Sequence, residues 1–341
     1  MPLSMTARVP QLLLVVLLFA SLAPAQDLDN PHPAGCEQYK KNSIPAADLP
    51  SENDRKQLAS CVSVDLYFGF DHPADPVSAR KCAYLERKKK VVDRVFGGAG
   101  MLAMIYANGK GAARNFNLAL KFACEVNGAS AENEGRFEHL LQLKSQHWTG
   151  NDFSLCDDIT SGFMMGWCAS LQERGNKVQR QRRLERLTAG WTPSEKQALS
   201  ELQAVAVRFF EASSSNEADS GSGRTAWEIE ARASLEDGFV QDLERFEKGR
   251  LPHFSPADFT QVDAKLNAAY TRLRALPRQD VGAGPVTFAG VKETQRVWLE
   301  YREAWVKFGR QKYPRVTAES WRAWLTQERT GMLEDAEKLM Q

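Results

Sequence analysis

The chain has 341 residues, 26% of them charged and 43% apolar, which is the balance of an ordinary globular protein rather than a disordered or membrane-embedded one. Its 44 basic residues are nearly matched by 43 acidic ones. That neutrality argues against a dedicated nucleic-acid binder, which would carry a strong basic excess.

In chain order, Arg8 precedes the apolar run Leu12–Ala20, and Ala23-Pro24-Ala25 supplies the small residues of a signal-peptidase site. Residues 1–25 therefore read as a secretory signal peptide cleaved after Ala25. The run is too short to cross a bilayer, no second one follows, and no cysteine stands just after it to carry a lipid. The mature chain is expected to be periplasmic or secreted, with no membrane insertion after cleavage. Cleavage removes one base and no acid, leaving the two signs in balance and enough chain for two packed units.

Six cysteines, Cys36, Cys61, Cys82, Cys124, Cys156 and Cys168, all lie in the first half of the chain. An even count in an exported protein reads as disulfides, for which 15 pairings are possible. No pair has C-x-x-C spacing, which argues against a thioredoxin-like redox site and a zinc ribbon. Cys156 and Cys168 are the favoured pair, because a short stretch between them would bring helix ends together. Such a loop contributes on the order of 3 kcal/mol through the unfolded state.

Strand signals are scarce and helix signals plentiful, so the expected fold is all-α. Segments 58–86 and 97–125 each read helix, turn, helix, and superpose: Leu58–Tyr67 on Ala99–Tyr106, then Ser78–Ala83 on Leu118–Cys124. A repeat of this length means stacked helical hairpins. The string Leu102-x3-Tyr106-x2-Gly109-x-Gly111, with Asn117 and Ala119 opening the second helix, resembles the Sel-like repeat. Its glycines serve the turn, and its tyrosine and small residues let the helices cross closely. The first copy departs from the pattern by lacking the Gly-x-Gly turn. In secreted members of that family disulfides staple the helices of a repeat; the resemblance thus implies Cys61–Cys82, which leaves Cys36–Cys124.

Further along, Asp157-Asp158 reads as capping acid beside a helix start. The run Arg174, Lys177, Arg180, Arg182, Arg183 and Arg186 reads as a solvated helix face, or else as a contact for an acidic partner or anionic envelope polymer. Thr192-Pro193-Ser194-Glu195 is a capping box with a first-turn proline, opening a helix with Leu199, Leu202, Val205 or Ala206, and Phe209 on one face. Ser213–Gly223 reads as a flexible loop by composition. A stripe of Trp227, Ala231, Leu235, Phe239, Leu243 and Phe246 ends at Gly249. Ser255-Pro256 caps a helix bearing Phe259, Val262, Leu266, Tyr270 and Leu273, followed by a break at Gly282–Pro285. Thr287 and Thr317 open the last two helices, with Val291, Trp298, Tyr301, Trp305 and Phe308, then Trp321, Trp324, Leu325, Met332 and Leu339. Four tryptophans at helical spacing are expected to be core rather than a ligand platform.

Two stretches resemble the LprI-like lysozyme-inhibitor family. One is Phe153–Cys168, similar to the opening cysteine segment. The other is Leu266-Asn267-x2-Tyr270, Gln295-x2-Trp298-x2-Tyr301-Arg302 and Thr326-x2-Arg329-Thr330 in successive helices. The chain departs from the family in holding Val306 and Trp321 where a further cysteine pair is common, and segment 174–260 is longer. The resemblance implies a helical exported domain that inhibits lysozyme by binding it.

Chemistry is otherwise sparse. His139 and His147 lie about 80° out of line on a helix, a poor metal pair, and there is no H-E-x-x-H or G-x-S-x-G. Gly97–Gly100 and Gly282–Gly284 lack the preceding strand of a nucleotide loop. Arg302 and Arg329 are candidate partner contacts, or else stack and pair among the aromatics.

The expected organisation is a signal peptide at 1–25, a Sel-like helical repeat region at 26–150 and an LprI-like helical domain at 151–341. The expected function is protein binding: inhibition of a lysozyme-type muramidase, or neutralisation of an envelope-targeting toxin as an immunity protein. No catalytic, cofactor or metal residue and no nucleic-acid partner is expected, and the partner-contact residues are left open. The alternatives are a cell-wall glycan-acting enzyme and an envelope scaffold without inhibitory activity.

Overall fold

The computed structural model describes residues 33–70, 72–89, 97–219, 221–276 and 286–340. The signal-peptide segment and the Gly282–Pro285 break lie outside them. Among the described residues the secondary structure is entirely helical. In order, the α-helices are α1 (Glu37–Lys40), α2 (Glu52–Gln57), α3 (Ser63–Phe68), α4 (Pro76–Lys89), α5 (Ala99–Asn108), α6 (Phe116–Ala123) and α7 (Ser130–Ser145). The longer ones follow: α8 (Gly162–Thr188), α9 (Pro193–Glu217), α10 (Arg224–Glu247), α11 (Pro256–Ala275), α12 (Phe288–Lys312) and α13 (Ala318–Leu339). No helix among them is long and apolar enough to cross a membrane.

In the first half, α3 packs on α4 and α5 on α6 as hairpins, with α4 against α5. Gly69 and Gly109 end α3 and α5 in the left-handed conformation, which costs glycine nothing. Gly111, at φ 96°, meets the other hairpin so closely that a Cβ there would collide with the Pro76 carbonyl. The Gly-x-Gly of the second copy thus serves contact between hairpins as well as the turn. Tyr67 and Tyr106 are both buried. The Tyr106 hydroxyl donates to Asp48 Oδ2 at 2.8 Å and lies 2.8 Å from the Tyr84 hydroxyl. Asn108 donates to the Tyr67 hydroxyl at 3.0 Å.

The structure joins Cys36 to Cys124, Cys61 to Cys82, and Cys156 to Cys168. Cys61 stands just ahead of α3 rather than on it, because the first copy's helix begins only at Ser63. Cys156 lies in a turn and Cys168 in the second turn of α8, so that bond pins the start of α8.

In the second half, capping boxes at Thr192 and Ser255 start α9 and α11, as one at Ser51 starts α2, and the hydroxyls of Thr287 and Thr317 cap α12 and α13. The apolar stripes converge on one core, in which Trp298, Trp305 and Trp321 are fully buried and Trp324 nearly so. Trp321 stacks on Trp305, with centroids 5.9 Å apart. Gly309 allows this, since a Cβ there would run into the Trp321 indole. Val306 and Trp321 both lie in this core.

Two expectations fail here. Ser213–Glu217 is the last part of α9, not loop: Ser213 and Ser214 are buried, and their hydroxyls donate to the Glu217 carboxylate and the Glu211 carbonyl. Serine hydroxyls that find an acceptor on their own helix, ahead for Ser213 and behind for Ser214, offset the polar cost of burial, which composition alone does not show. Leu339 is exposed, because it lies on the side of the last turn of α13 away from the core that Ala336 and Met340 meet.

A second core holds the hairpins together with Phe153 and Leu155. Helix α8 joins the two cores: Trp167 and Leu171 pack on the hairpin core, Leu184 and Leu187 on the tryptophan core.

Candidate functional site

Helices α8 and α9 follow one another but diverge, and α10 packs against both. The space left between them is a cleft of about 600 Å³, walled by α8 and α9 and floored by α10. Phe210, Phe239 and Val240 form its apolar depth, and Val207 on the α9 wall is 48% exposed. Clefts of this volume with apolar depth and a polar rim are the usual form of binding sites.

The α8 wall carries most of the basic run. Arg180 is buried and is held by Glu173 on its own helix, with Nη1 3.2 Å from Oε2, and by Glu236 on α10 at 2.6 Å; Asp237 lies 3.6 Å away. Burial works against the Arg180 charge, but the hydrogen bond to Glu173 and the fields of Glu236 and Asp237 outweigh it, so its pKa is raised. Arg183 makes a two-point pair with Glu244 at 2.8 and 2.9 Å, and that bond holds the Glu244 carboxyl below its usual range. Arg174 pairs with Asp65 at 2.7 Å and lies over the Phe70 ring. The run is therefore not one solvated face: Arg180, Arg183 and Arg174 lock α8 onto α10 and onto the first hairpin, while Lys177, Arg182 and Arg186 are exposed.

Asp157-Asp158 does not cap α8. Ser161 is the N-cap, and the buried Glu132 of α7 accepts from the backbone N–H groups of Thr160 and Ser161 at 3.0 and 2.7 Å. Asp157 caps the Ser154 turn instead, and Asp158 pairs with His139 at 3.0 Å. His139 is thus engaged by a carboxylate, and His147 sits in the turn after α7. Among the described residues no group of three or more His, Cys, Asp or Glu is placed to hold a metal ion.

One carboxylate with a displaced pKa escaped sequence reasoning. Asp242 on α10 is pushed up to about 6 by burial, against the opposing field of Arg245, with Glu328 adding to the rise. Nothing around Asp242 in the linear sequence marks it, because Glu328 belongs to α13. The cleft residues Val207, Glu211 and Glu236 were equally invisible, since only the helix crossings bring the surfaces that carry them together.

The residues that carry the LprI resemblance are mostly interior. Trp298 and Tyr301 are buried, and Arg329, with no exposed surface, donates to Gln295 Oε1 at 2.9 Å and to both Glu217 oxygens. Arg302 is half-buried over the Trp298 ring and bonds Glu303. These side chains hold α9, α12 and α13 together; Arg329 is therefore not available as a partner contact. The cleft stands on that platform: α9 is tied to α12 by Arg208–Glu300 at 2.8 Å and Lys307–Glu201 at 2.6 Å.

No curated protein and no solved structure matches the chain. Residues 254–333, which include α11, α12 and the Gln295 and Arg329 positions, match the family model described as lysozyme inhibitor LprI, and over that segment the chain is similar to that family.

Proposed function

We propose that the protein is an exported inhibitor that binds a lysozyme-type muramidase and blocks its substrate cleft sterically, without a covalent step. The observation that carries this reading is the similarity of residues 254–333 to the lysozyme inhibitor family. The three disulfides support it, since such bonds persist outside the reducing cytosol, in the periplasm or beyond the cell. In this reading the mature chain has two units, Sel-like hairpins over 26–150 and an LprI-like helical unit over 151–341, and the first stiffens the second through α8. Neutralisation of an envelope-targeting toxin is the same binding activity turned on another wall-degrading protein.

The test is peptidoglycan clearing. Purified mature protein added to lysozyme in near-stoichiometric amounts is expected to slow clearing, with a lag that scales with inhibitor concentration. Clearing by the protein alone would replace the inhibitor with a glycan-cleaving enzyme. An unchanged rate in both arms would leave the scaffold role.

A further inference from the structure

We propose that the α8–α9–α10 cleft is where this protein grips its partner, and that it receives a protruding protein segment presenting an apolar side chain beside a base. The inference deepens the inhibitor reading and rests on it.

The first support is shape. Because α8 and α9 splay apart over α10, the cleft of about 600 Å³ is walled on both sides, and Val207 stands 48% exposed above the buried Phe210, Phe239 and Val240. A partner side chain inserted there would cover Val207 and meet aromatic depth, the usual anatomy of an interface anchor.

The second support is charge. The cleft's arginines are already answered within the chain: Arg180 by Glu173 and Glu236, Arg232 by Glu236 at 3.8 Å, Arg174 by Asp65. Two rim charges have no ion pair among the described residues, Glu211 on the α9 wall and Lys177 on the α8 wall. Glu211 lies four residues from Val207, so the two share one face of α9. An apolar side chain on Val207 therefore places its neighbouring base against Glu211, while Lys177 across the cleft meets a backbone carbonyl of the same segment.

The third support is rigidity. The α8 wall is held by the Cys156–Cys168 bond and the Arg174–Asp65 pair, and the α9 wall by Arg208–Glu300, Lys307–Glu201 and Arg329–Glu217. Walls fixed before binding lose little freedom on binding, which favours affinity. The interior LprI-like residues thereby fix α9 in place rather than touch the partner.

The experiment measures binding of the full mature chain to purified c-type, g-type and i-type lysozymes by calorimetry at low and high salt. Val207→Lys and Glu211→Lys are compared with Leu299→Lys, which alters an exposed side chain on α12 outside the cleft. Unfolding midpoints confirm that each variant folds. For any lysozyme the wild type binds, both cleft variants are expected to weaken binding at least tenfold. The Leu299 variant should stay within twofold, and Glu211→Lys should flatten the salt dependence. Wild-type affinity in both cleft variants, or an equal loss in the Leu299 variant, would overturn the cleft assignment and leave the inhibitor reading standing. Failure of the wild type to bind any of the lysozymes would overturn that reading and the cleft assignment with it.

Discussion

Arg329 on α13 and Glu217 at the end of α9 form a two-point ion pair across 112 residues, with Nη2–Oε1 and Nη1–Oε2 distances of 2.6 and 2.7 Å. Both side chains are buried, Arg329 completely and Glu217 to 6% exposure. Gln295 accepts the remaining Nε–H, and Ser213 donates to the same carboxylate, so neither charge is left without hydrogen bonds. Next to it, Asn216 and Thr294 join α9 to α12 by a bond of 3.3 Å.

Breaking this pair one side at a time should be costly, because each partner would be left charged in the interior. Arg329→Met or Glu217→Leu is expected to lose about 3–5 kcal/mol, whereas the double substitution regains much of the loss. Urea unfolding of the four proteins in a double-mutant cycle reads this directly. Additive losses would show that the two groups act independently.

The disulfides should differ in weight. Cys36–Cys124 spans 88 residues and Cys156–Cys168 only 12. Replacing both cysteines of the first pair by serine is expected to cost about 4–5 kcal/mol, against about 3 for the second, if loop entropy dominates. Equal losses in chemical denaturation would point to packing around the sulfurs instead.

Acid should weaken the seams built on Glu195 and Asp54. The Thr192 backbone N–H, then Lys312 and the Thr192 hydroxyl, hold the Glu195 carboxyl down at about 2; the Ser51 hydroxyl and Lys81, then the Ser51 backbone N–H, do the same for Asp54. A carboxyl depressed in the folded state stabilises it above the unfolded pKa, about 4.3 for Glu, and that contribution disappears as pH falls toward 2. Glu195→Gln should therefore be less stable than wild type at pH 7, with the two proteins converging between about pH 4.5 and 2. Parallel thermal-melt curves across that window would contradict the assignment.

Gly309→Ala tests the tryptophan core. The new methyl would press on the Trp321 indole and disturb its stack on Trp305. A loss of about 1–3 kcal/mol is expected, with altered near-ultraviolet circular dichroism and unchanged far-ultraviolet helicity. An unchanged aromatic spectrum would mean that α12 and α13 separate freely.

Much of the helical frame is legible residue by residue. Thr192-Pro193-x-Glu195 and Ser255-Pro256 begin helices where their capping chemistry says, and Trp298, Tyr301, Trp305 and Phe308 point inward because they recur at three- and four-residue spacing. The cleft was not legible in this way. Arg180 looks like any other cation in a basic run until α10 brings Glu236 to it, and Ser213 looks like loop until Glu217 and Arg329 give the end of α9 a buried role.

Local chemistry therefore determined the helices, their caps and their apolar faces, since each depends on contacts within a few residues. Only the tertiary structure decided which charges are satisfied inside the fold and which stay exposed at its surface. That choice depends on helix crossings between residues far apart in the chain, 56 positions for Arg180 with Glu236 and 112 for Glu217 with Arg329. Burial and pairing are properties of those crossings, and no short stretch of sequence contains them.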